Sequence, residues 1–167
     1  ACRLHTLRSE LGDDVFWAAT QDYLKRYRED VVETDDFRKV MEEHSGRSLV
    51  QFFDQWILNA GYPNLKVGFS YDAEKKLGTY TVEQQQVKED KDRPFVLRTK
   101  LGWTIDGKNH SQSIRIDKKK HQFEIAMTKN PQQVRFDPDW HALHKLDFNP
   151  GDDKLANQLT DAKDIVG

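Results

Sequence analysis

The sequence has little cysteine, little net charge and no long hydrophobic run, and each shortage excludes a class of protein. Its one cysteine, Cys2, excludes an internal disulfide framework. The formal net charge of −2 over 167 residues gives no electrostatic reason to expect nucleic acid or an acidic membrane surface as a partner. No apolar run approaches the roughly 20 residues of a membrane span. The compartment stays open, with the cytoplasm slightly favoured.

Short motifs that carry chemistry are also missing. No H-E-x-x-H zinc motif, G-x-S-x-G elbow, P-loop or dinucleotide fingerprint occurs in the sequence. No internal repeat or low-complexity tract occurs either. With 37% hydrophobic and 32% charged residues, the chain is nevertheless able to bury the core of one full domain or two small ones.

Residues 1–61 have the periodicity of helices. A first helix runs up to Gly12, and a second follows from Asp13 with an apolar face that includes Leu24. Thr34 is the predicted N-cap of a third helix, and Gly46 is its predicted C-terminal stop. The helical periodicity therefore predicts three helices up to Gly46, and a fourth follows.

The fourth helix is predicted to open on a capping box between Ser48 and Gln51 and to end at Gly61. Its apolar positions have helical spacing, which is typical of core anchors. They are Leu49, Phe52, Phe53, Trp56 and Ile57. Pro63 blocks a continuation of the helix.

From Leu65 the period becomes two, which predicts β-strands. Alternation locates strands at 65–71, 80–82, 95–105, 114–116, 123–127 and 134–136. Asp106-Gly107 is the strongest hairpin signal. Six or seven strands at this spacing favour an antiparallel β-sandwich. After Gly151 the helical pattern returns, and both ends of the chain look cut in mid-pattern.

The histidines are the first candidates for a site. His44 follows Glu42 and Glu43, but it lies on an apolar helical stripe and is interpreted as partly buried rather than as a ligand. His141 and His144 are three apart and, with Asp139, offer either a weak metal site on a helical face or a surface turn.

The remaining charged groups have structural explanations. Lys118, Lys119 and Lys120 with His121 are predicted to form a solvated turn between strands. The paired acids Asp13, Asp14, Asp35 and Asp36 suit helix starts. Cys2 has no evident base partner. Residue chemistry therefore predicts no catalytic, substrate-binding or metal-binding residue in this chain.

Six motifs over about 65 residues nevertheless resemble one family. They are Leu-x-x-Leu-Arg at Leu4–Arg8, Leu-Gly-Asp at Leu11–Asp13, Phe16-Trp17, Thr-x-Asp-Phe at Thr34–Phe37, Phe-Phe-x-x-Trp at Phe52–Trp56, and Gly61-Tyr62-Pro63. In order and spacing they resemble the aminopeptidase N-like zinc metallopeptidases, the gluzincins that include leukotriene hydrolase.

The resemblance implies an α+β, multidomain fragment. Residues 1–61 resemble the helical C-terminal part of a thermolysin-like catalytic domain, and residues 62–148 resemble the antiparallel β-sandwich that follows it. Residues 149–167 resemble the start of a helical C-terminal domain. Gly61-Tyr62-Pro63 is then the hinge between the first two.

The resemblance also implies the chemistry of a parent chain. In the family, two His and one Glu hold zinc, a second Glu is the general base and a Tyr stabilises the oxyanion. All of these come earlier in sequence, and Ala1 corresponds to the Ala of a Gly-Ala pair that follows the Tyr. No catalytic residue carries over, so the fragment is expected to be inactive alone and to hold no zinc.

The partners implied are a peptide substrate for the parent and the remainder of its own chain. An uncovered helical face predicts that the fragment self-associates. A second interpretation is a scaffold fragment of a non-catalytic relative. A third, independent of the family's chemistry, is an adhesion or binding module in which residues 62–150 fold alone.

Overall fold

The computed structural model describes residues 2–89 and 92–151. They form two compact units, of which the first ends at Gly61 and the second begins at Tyr62. All described helices belong to the first, here called the helical unit, and all described strands to the second, the strand unit. The α+β class is confirmed. The helix predicted after Gly151 lies outside the described residues.

The helical unit contains four helices, of which the last changes its winding. They are α1 (Cys2–Leu11), α2 (Asp13–Arg26), α3 (Thr34–Ser45) and α4 (Val50–Phe53), which continues as a π-helical turn, Asp54–Leu58. Gly12, with a φ of 82°, separates α1 from α2, and Gly46, with a φ of 64°, ends α3 as predicted. Both need the left-handed region that glycine adopts without a steric cost.

The predicted N-cap of α3 is wrong by one residue. Glu33 is the N-cap, and its backbone N–H donates to Asp36 Oδ2 at 3.0 Å. Thr34 is instead the first residue of the helix. The acid in the first turn therefore fixes the start of α3, because it satisfies the preceding amide.

The capping box predicted between Ser48 and Gln51 does not form. The N-cap of α4 is Leu49, whose N–H donates to Glu42 Oε1 at 2.5 Å. Ser48 Oγ donates to the same oxygen at 3.4 Å. The Glu42 carboxylate of α3 thus replaces the predicted capping box as the acceptor at the start of α4. Sequence spacing alone does not reveal this contact.

Apolar side chains of every helix form the buried part of the helical unit. They are Leu7, Phe16, Ala19, Val40, Met41, Leu49, Phe52, Phe53 and Trp56. One residue of the predicted apolar face departs from this pattern, because Leu24 is 62% exposed. Other large apolar side chains of the unit are exposed as well: Leu4, Trp17, Val31, Val32, Val50 and Leu58.

Seven strands form two sheets in the strand unit. They are β1 (Asn64–Asp72), β2 (Leu77–Gln84), β3 (Leu97–Ile105), β4 (Lys108–Ile116), β5 (Lys120–Ala126), β6 (Gln133–Phe136) and β7 (Lys145–Asn149). The first sheet has the order β5-β2-β1-β7 and the second β4-β3-β6. The predicted turn at Asp106-Gly107 joins β3 to β4, with φ of 51° and 71°, as a two-residue hairpin of the I′ type requires.

Strand β7 is the one that alternation did not locate. It pairs with β1 in parallel, from Asn64↔Lys145 to Gly68↔Asn149, so the first sheet is not wholly antiparallel. A parallel neighbour needs a long connection rather than a hairpin. In the sequence, all the other strands lie between β1 and β7, so no local turn signal predicts that these two strands pair.

Tyr80 joins the two sheets. Its side chain is fully buried in β2, and its hydroxyl donates to the carbonyl oxygen of Gly102 in β3 at 2.7 Å. Burial raises the pKa of the Tyr80 phenol, because the charged form would lose its hydration. The hydroxyl therefore stays a neutral donor throughout the physiological range.

We expect Tyr80→Phe to lower the free energy of unfolding by about 1 kcal/mol, because a buried hydrogen bond is lost. Tyr71→Phe is the matched control, since Tyr71 is only part-buried and its hydroxyl lies 3.3 Å from the Met127 carbonyl. Urea denaturation measures both. Equal losses in the two variants would contradict a special role for the Tyr80 bond.

Candidate functional site

His44 and Glu43 belong to a cluster between α2 and α3 that also contains Asp22 and Arg26. His44 Nε2 lies 2.8 Å from Asp22 Oδ2, and Arg26 bonds both Asp22 and Glu43 at 2.6 Å. The hydrogen bonds from His44 and Arg26 lower the pKa of the Asp22 carboxyl. The His44 side chain is 29% exposed, in keeping with a partly buried residue. This cluster links the two helices.

Glu42 organises the end of α3. Besides the Leu49 amide, it accepts from Arg38 Nη1 at 2.6 Å. Burial raises the pKa of Glu42, but these hydrogen bonds outweigh burial and leave the pKa lowered. Its carboxylate is therefore committed to structure and is not a free base.

Asp13 and Asp35, one from each pair of helix-start acids, are also engaged in structural contacts. Asp13 receives two hydrogen bonds of 2.7 Å from the Arg8 guanidinium, which hold its pKa below the usual value. Asp35 pairs with Lys39 at 3.0 Å and with Arg38. Such bidentate contacts orient helix ends.

In the strand unit, Asp137 is the centre of a loop that follows β6. It is 2% exposed, and it accepts from Thr99 Oγ1 at 2.8 Å and from the amides of His141 and Ala142 at 3.1 Å each. A buried carboxylate is stable when its oxygens are satisfied in this way. Asp137 therefore sets the course of the chain towards β7.

The helical face predicted for His141 and His144 is wrong, because both lie in this irregular loop. The alternative of a surface turn fails for His144, whose side chain is 5% exposed. Its ring stacks on Phe136 at 5.5 Å, and its Nε2, 3.8 Å from Asp137 Oδ2, has no hydrogen-bond partner. Asp139 pairs with Lys100 at 2.7 Å instead.

His121 departs from the predicted solvated turn. Lys120 already begins β5, and the His121 side chain is 16% exposed. Its Nε2 accepts from the amides of Asp117 at 3.1 Å and Lys118 at 3.0 Å. The ring therefore closes the β4–β5 turn, while Lys118 and Lys119 remain exposed.

The described residues do not fit a zinc site. Within 2–89 and 92–151, no group of three or more His, Cys, Asp or Glu side chains is placed to hold a metal ion. Cys2 is a free, exposed thiol. Zinc, which the family resemblance implies for the parent, would need ligands from elsewhere. None of the helices in those ranges is long and apolar enough to cross a membrane.

Each unit has a cleft among its described residues. The first, of about 490 Å³, lies beside the start of α3 and is lined by Arg38, Phe53 and Leu58 among others. The second, of about 570 Å³, lies over Gly68 between Lys66 and Lys120. Their sizes suit small ligands, but neither brings together a nucleophile and a base.

Sequence reasoning missed Asp137 and the burial of His144. An Asp followed by Pro is a typical turn-forming pattern, because the Asp side chain can accept hydrogen bonds from backbone amides that follow it. The segment "FDPDW" contains this pattern. That signal would have placed a carboxylate at the centre of a turn. The residues next to His144 in the sequence do not predict its burial, because the burial depends on Phe136 and Asp137.

Comparison with curated proteins gives three partial matches. Over 64 residues the chain is 39% identical to glutamyl aminopeptidase of Bitis rhinoceros, 41% to aminopeptidase A of Gloydius brevicauda and 34% to aminopeptidase 2 of Candida albicans. Each match covers 38% of this chain and 7% of the relative. The predicted resemblance to aminopeptidases is confirmed. No family model matches the chain.

A solved aminopeptidase has the same fold over nearly the whole chain. The crystal structure of Legionella pneumophila aminopeptidase A, in complex with aspartic acid, superposes with a TM-score of 0.71 over 99% of this chain, at 15% identity. This chain covers 20% of that protein. The likeness shows a shared fold. It covers 99% of this chain, whereas each sequence match covers 38%.

We expect the stability of the chain to fall as the pH drops below about 6.5, the usual pKa of histidine. Burial lowers the pKa of His144 in the folded chain, and the charge of Asp137 opposes this effect. As the pH falls, His144 is therefore protonated at a higher pH in the unfolded chain than in the folded chain. Its contribution to stability is complete above pH 6.5 and is lost below it, with a slope of at most about 1.4 kcal/mol per pH unit.

Urea denaturation between pH 8 and pH 5.5 measures this slope. His144→Leu should reduce it, whereas His110→Leu, at an exposed position in β4, should leave it unchanged. A slope that survives His144→Leu in full would show that other groups cause the dependence.

Proposed function

We propose that the chain is part of a zinc-dependent aminopeptidase, which removes N-terminal residues from peptides by means of metal-activated water. The observation that carries this proposal is the 64-residue match to three aminopeptidases at 34–41% identity. The shared fold with a fourth, over 99% of the chain, supports it. A peptide is the proposed substrate of the parent protein.

Within that parent, residues 1–61 are proposed to complete a thermolysin-like catalytic domain, and residues 62–148 to form a β-sandwich. The division between Gly61 and Tyr62 supports the first boundary, and the Tyr80–Gly102 bond between two sheets supports the sandwich. Residues 149–167 are proposed to start a helical C-terminal domain. The remainder of the parent chain is the proposed partner of the helical unit.

The role proposed for the helical unit is to hold a catalytic site rigid rather than to supply its reacting groups. The Asp22–His44 contact and the Glu42 hydrogen bonds fix α3 against its neighbours. A site held by such supporting contacts keeps its geometry within the narrow limits that catalysis needs. These residues are therefore positioning residues in the proposal.

A scaffold fragment of a non-catalytic relative is the alternative, since the same supporting contacts would serve it equally. The distinction lies in residues that would precede Ala1. A parent enzyme should carry an H-E-x-x-H motif followed by a Glu ligand, whereas a scaffold should lack them. An independent binding module would require the strand unit to fold without the helical unit.

We expect the purified chain to hydrolyse no aminoacyl p-nitroanilide and to bind no stoichiometric zinc. The full reading frame that contains it should do both, with activity that a chelator abolishes. Hydrolysis assays and metal analysis of the two proteins provide the measurement. A full-length protein without activity or zinc ligands would favour the scaffold, and chelator-sensitive activity in the isolated chain would contradict the assignment of its residues.

We also expect the isolated chain to self-associate through exposed apolar side chains of the helical unit. Leu24 is 62% exposed and Trp17 48% exposed, and apolar patches of this kind are normally covered. Light scattering should detect association that Leu24→Glu weakens. Lys25→Glu, at the exposed neighbouring position, is the matched control. A monodisperse monomer would refute the prediction.

A further inference from the structure

Strand β4 forms an open edge of the second sheet. It lies at one end of the order β4-β3-β6, so β3 is its one partner among the described strands. Seven of its nine residues are exposed, and only Ile114 and Ile116 are buried. The strand thus presents a full-length edge to solvent.

The backbone groups on that edge follow from the pairing of β3. Lys100 and Thr104 use their carbonyls towards the β6 side, where they accept the amides of Asp137 and Gln132. Odd-numbered residues of β3 therefore bond to β4. Their partners in β4 are the even-numbered residues, such as Gln112 opposite Leu101.

The odd-numbered residues of β4 consequently direct their amides and carbonyls outwards. They are Asn109, Ser111, Ser113 and Arg115. These four residues provide a row of donors and acceptors at the spacing of a β-ladder. Such a row is a template for another strand.

The other described edges carry features that block a new strand, whereas β4 carries charge only at Lys108 and Arg115 and lacks such features between them. Natural edges are protected by charge, proline, shortness or bulges. These features occur at β5 (Lys120, Glu124), at the four-residue β6 (Pro131 before it and Pro138 after it) and at the five-residue β7 (Lys145, Asp147). From Asn109 to Ile114, β4 has no Lys, Arg, Asp, Glu or Pro, and its register with β3 is unbroken.

One face of this sheet concentrates positive charge beside the edge. Arg98 in β3 lies directly opposite Arg115 in β4. Like charges in such a cross-strand position destabilise a sheet. Arg115 has a partner in Asp117 at 3.1 Å, whereas Arg98 has no acidic partner among the described residues. The pair leaves an uncompensated cation.

Arg135 adds a third cation to the same face. Its side chain crosses Gly102, where an added Cβ would lie 3.6 Å from its Nε. Its Nη2 donates to Thr104 Oγ1 at 3.0 Å and to Asn109 Oδ1 at 2.7 Å, which are uncharged acceptors. The Nε is buried without a hydrogen-bond partner. None of these contacts neutralises the guanidinium charge.

We propose that β4 is a docking edge for an extended, acidic peptide segment of another protein, which adds to the sheet as an antiparallel strand. The outward amides and carbonyls of the four odd-numbered residues would bind its backbone. In antiparallel pairing, peptide residues opposite Ser113 and Arg115 lie on the Arg98–Arg115–Arg135 face. Carboxylates at alternate positions would therefore meet these three cations.

The probe is a blocked peptide as long as β4, 9 residues, in which Glu alternates with Thr. Fluorescence anisotropy with the full chain should show saturable binding that the Gln-for-Glu peptide loses. Arg115→Gln should weaken binding about fivefold. Lys75→Gln, at a 75% exposed position in the turn between β1 and β2, is the matched control and should have no effect.

Backbone methylation distinguishes strand addition from simple charge attraction. In the proposed arrangement the amides of the Glu residues face β4, so N-methylation at Glu should weaken binding at least about tenfold. N-methylation at Thr should be tolerated. Equal binding of the two isomers, or a greater loss from methylation at Thr, would overturn the proposal.

A variant of the edge itself provides the reciprocal test. Ser113→Pro removes one outward amide without removing a bond to β3, and edge strands tolerate proline there. It should abolish peptide binding while thermal unfolding stays close to that of the unmodified chain. If the free chain forms a dimer that Ser113→Pro dissociates, the edge belongs to a second copy, and the proposal is wrong.

Discussion

The hydrogen bond from Tyr80 to Gly102 is the interaction between the two sheets on which the strand unit depends. The Tyr80 hydroxyl reaches its carbonyl from the other sheet at 2.7 Å. On the opposite face, Pro138 and Arg135 approach to 3.4 Å and 3.5 Å of the position that a Cβ would occupy. Both distances are ordinary van der Waals contacts, so Arg135 and Pro138 pack directly over Gly102. Two sheets and a loop thus converge on the central strand at this residue.

Local periodicity predicts most of the fold, and the exceptions have a common cause. The helices, the glycine stops at Gly12 and Gly46 and the Asp106-Gly107 hairpin depend on near neighbours, and spacing finds them. The fourth helix, predicted to end at Gly61, ends at Leu58 instead. The start of α4 depends on Glu42, and β7 depends on β1. Glu42 lies on the preceding helix, and Lys145 pairs with the far earlier Asn64, so in neither case does the periodicity of a single element carry the information. Prediction fails where tertiary contacts override local preference.

The candidate groups follow the same division. His44 and the helix-start acids Asp13 and Asp35 have partners on the same or an adjacent helix. His144 departs from its predicted helical face because Phe136 and Asp137 bury it, and Asp137 itself depends on Thr99. Arg98 and Arg115 are brought together only by strand register. Positive charge can therefore concentrate on one face of a sheet although the net charge of the chain is −2.

The parallel pairing of β1 with β7 has a consequence for biosynthesis. The strand that opens the unit acquires one of its two neighbours from the segment that closes it, Lys145–Asn149. During synthesis, β1 and β2 leave the ribosome long before β7 does, so one side of β1 stays open in the nascent chain. Long-range pairing of this kind is slow and exposes strand edges. That side of β1 therefore stays unpaired until Asn149 has emerged.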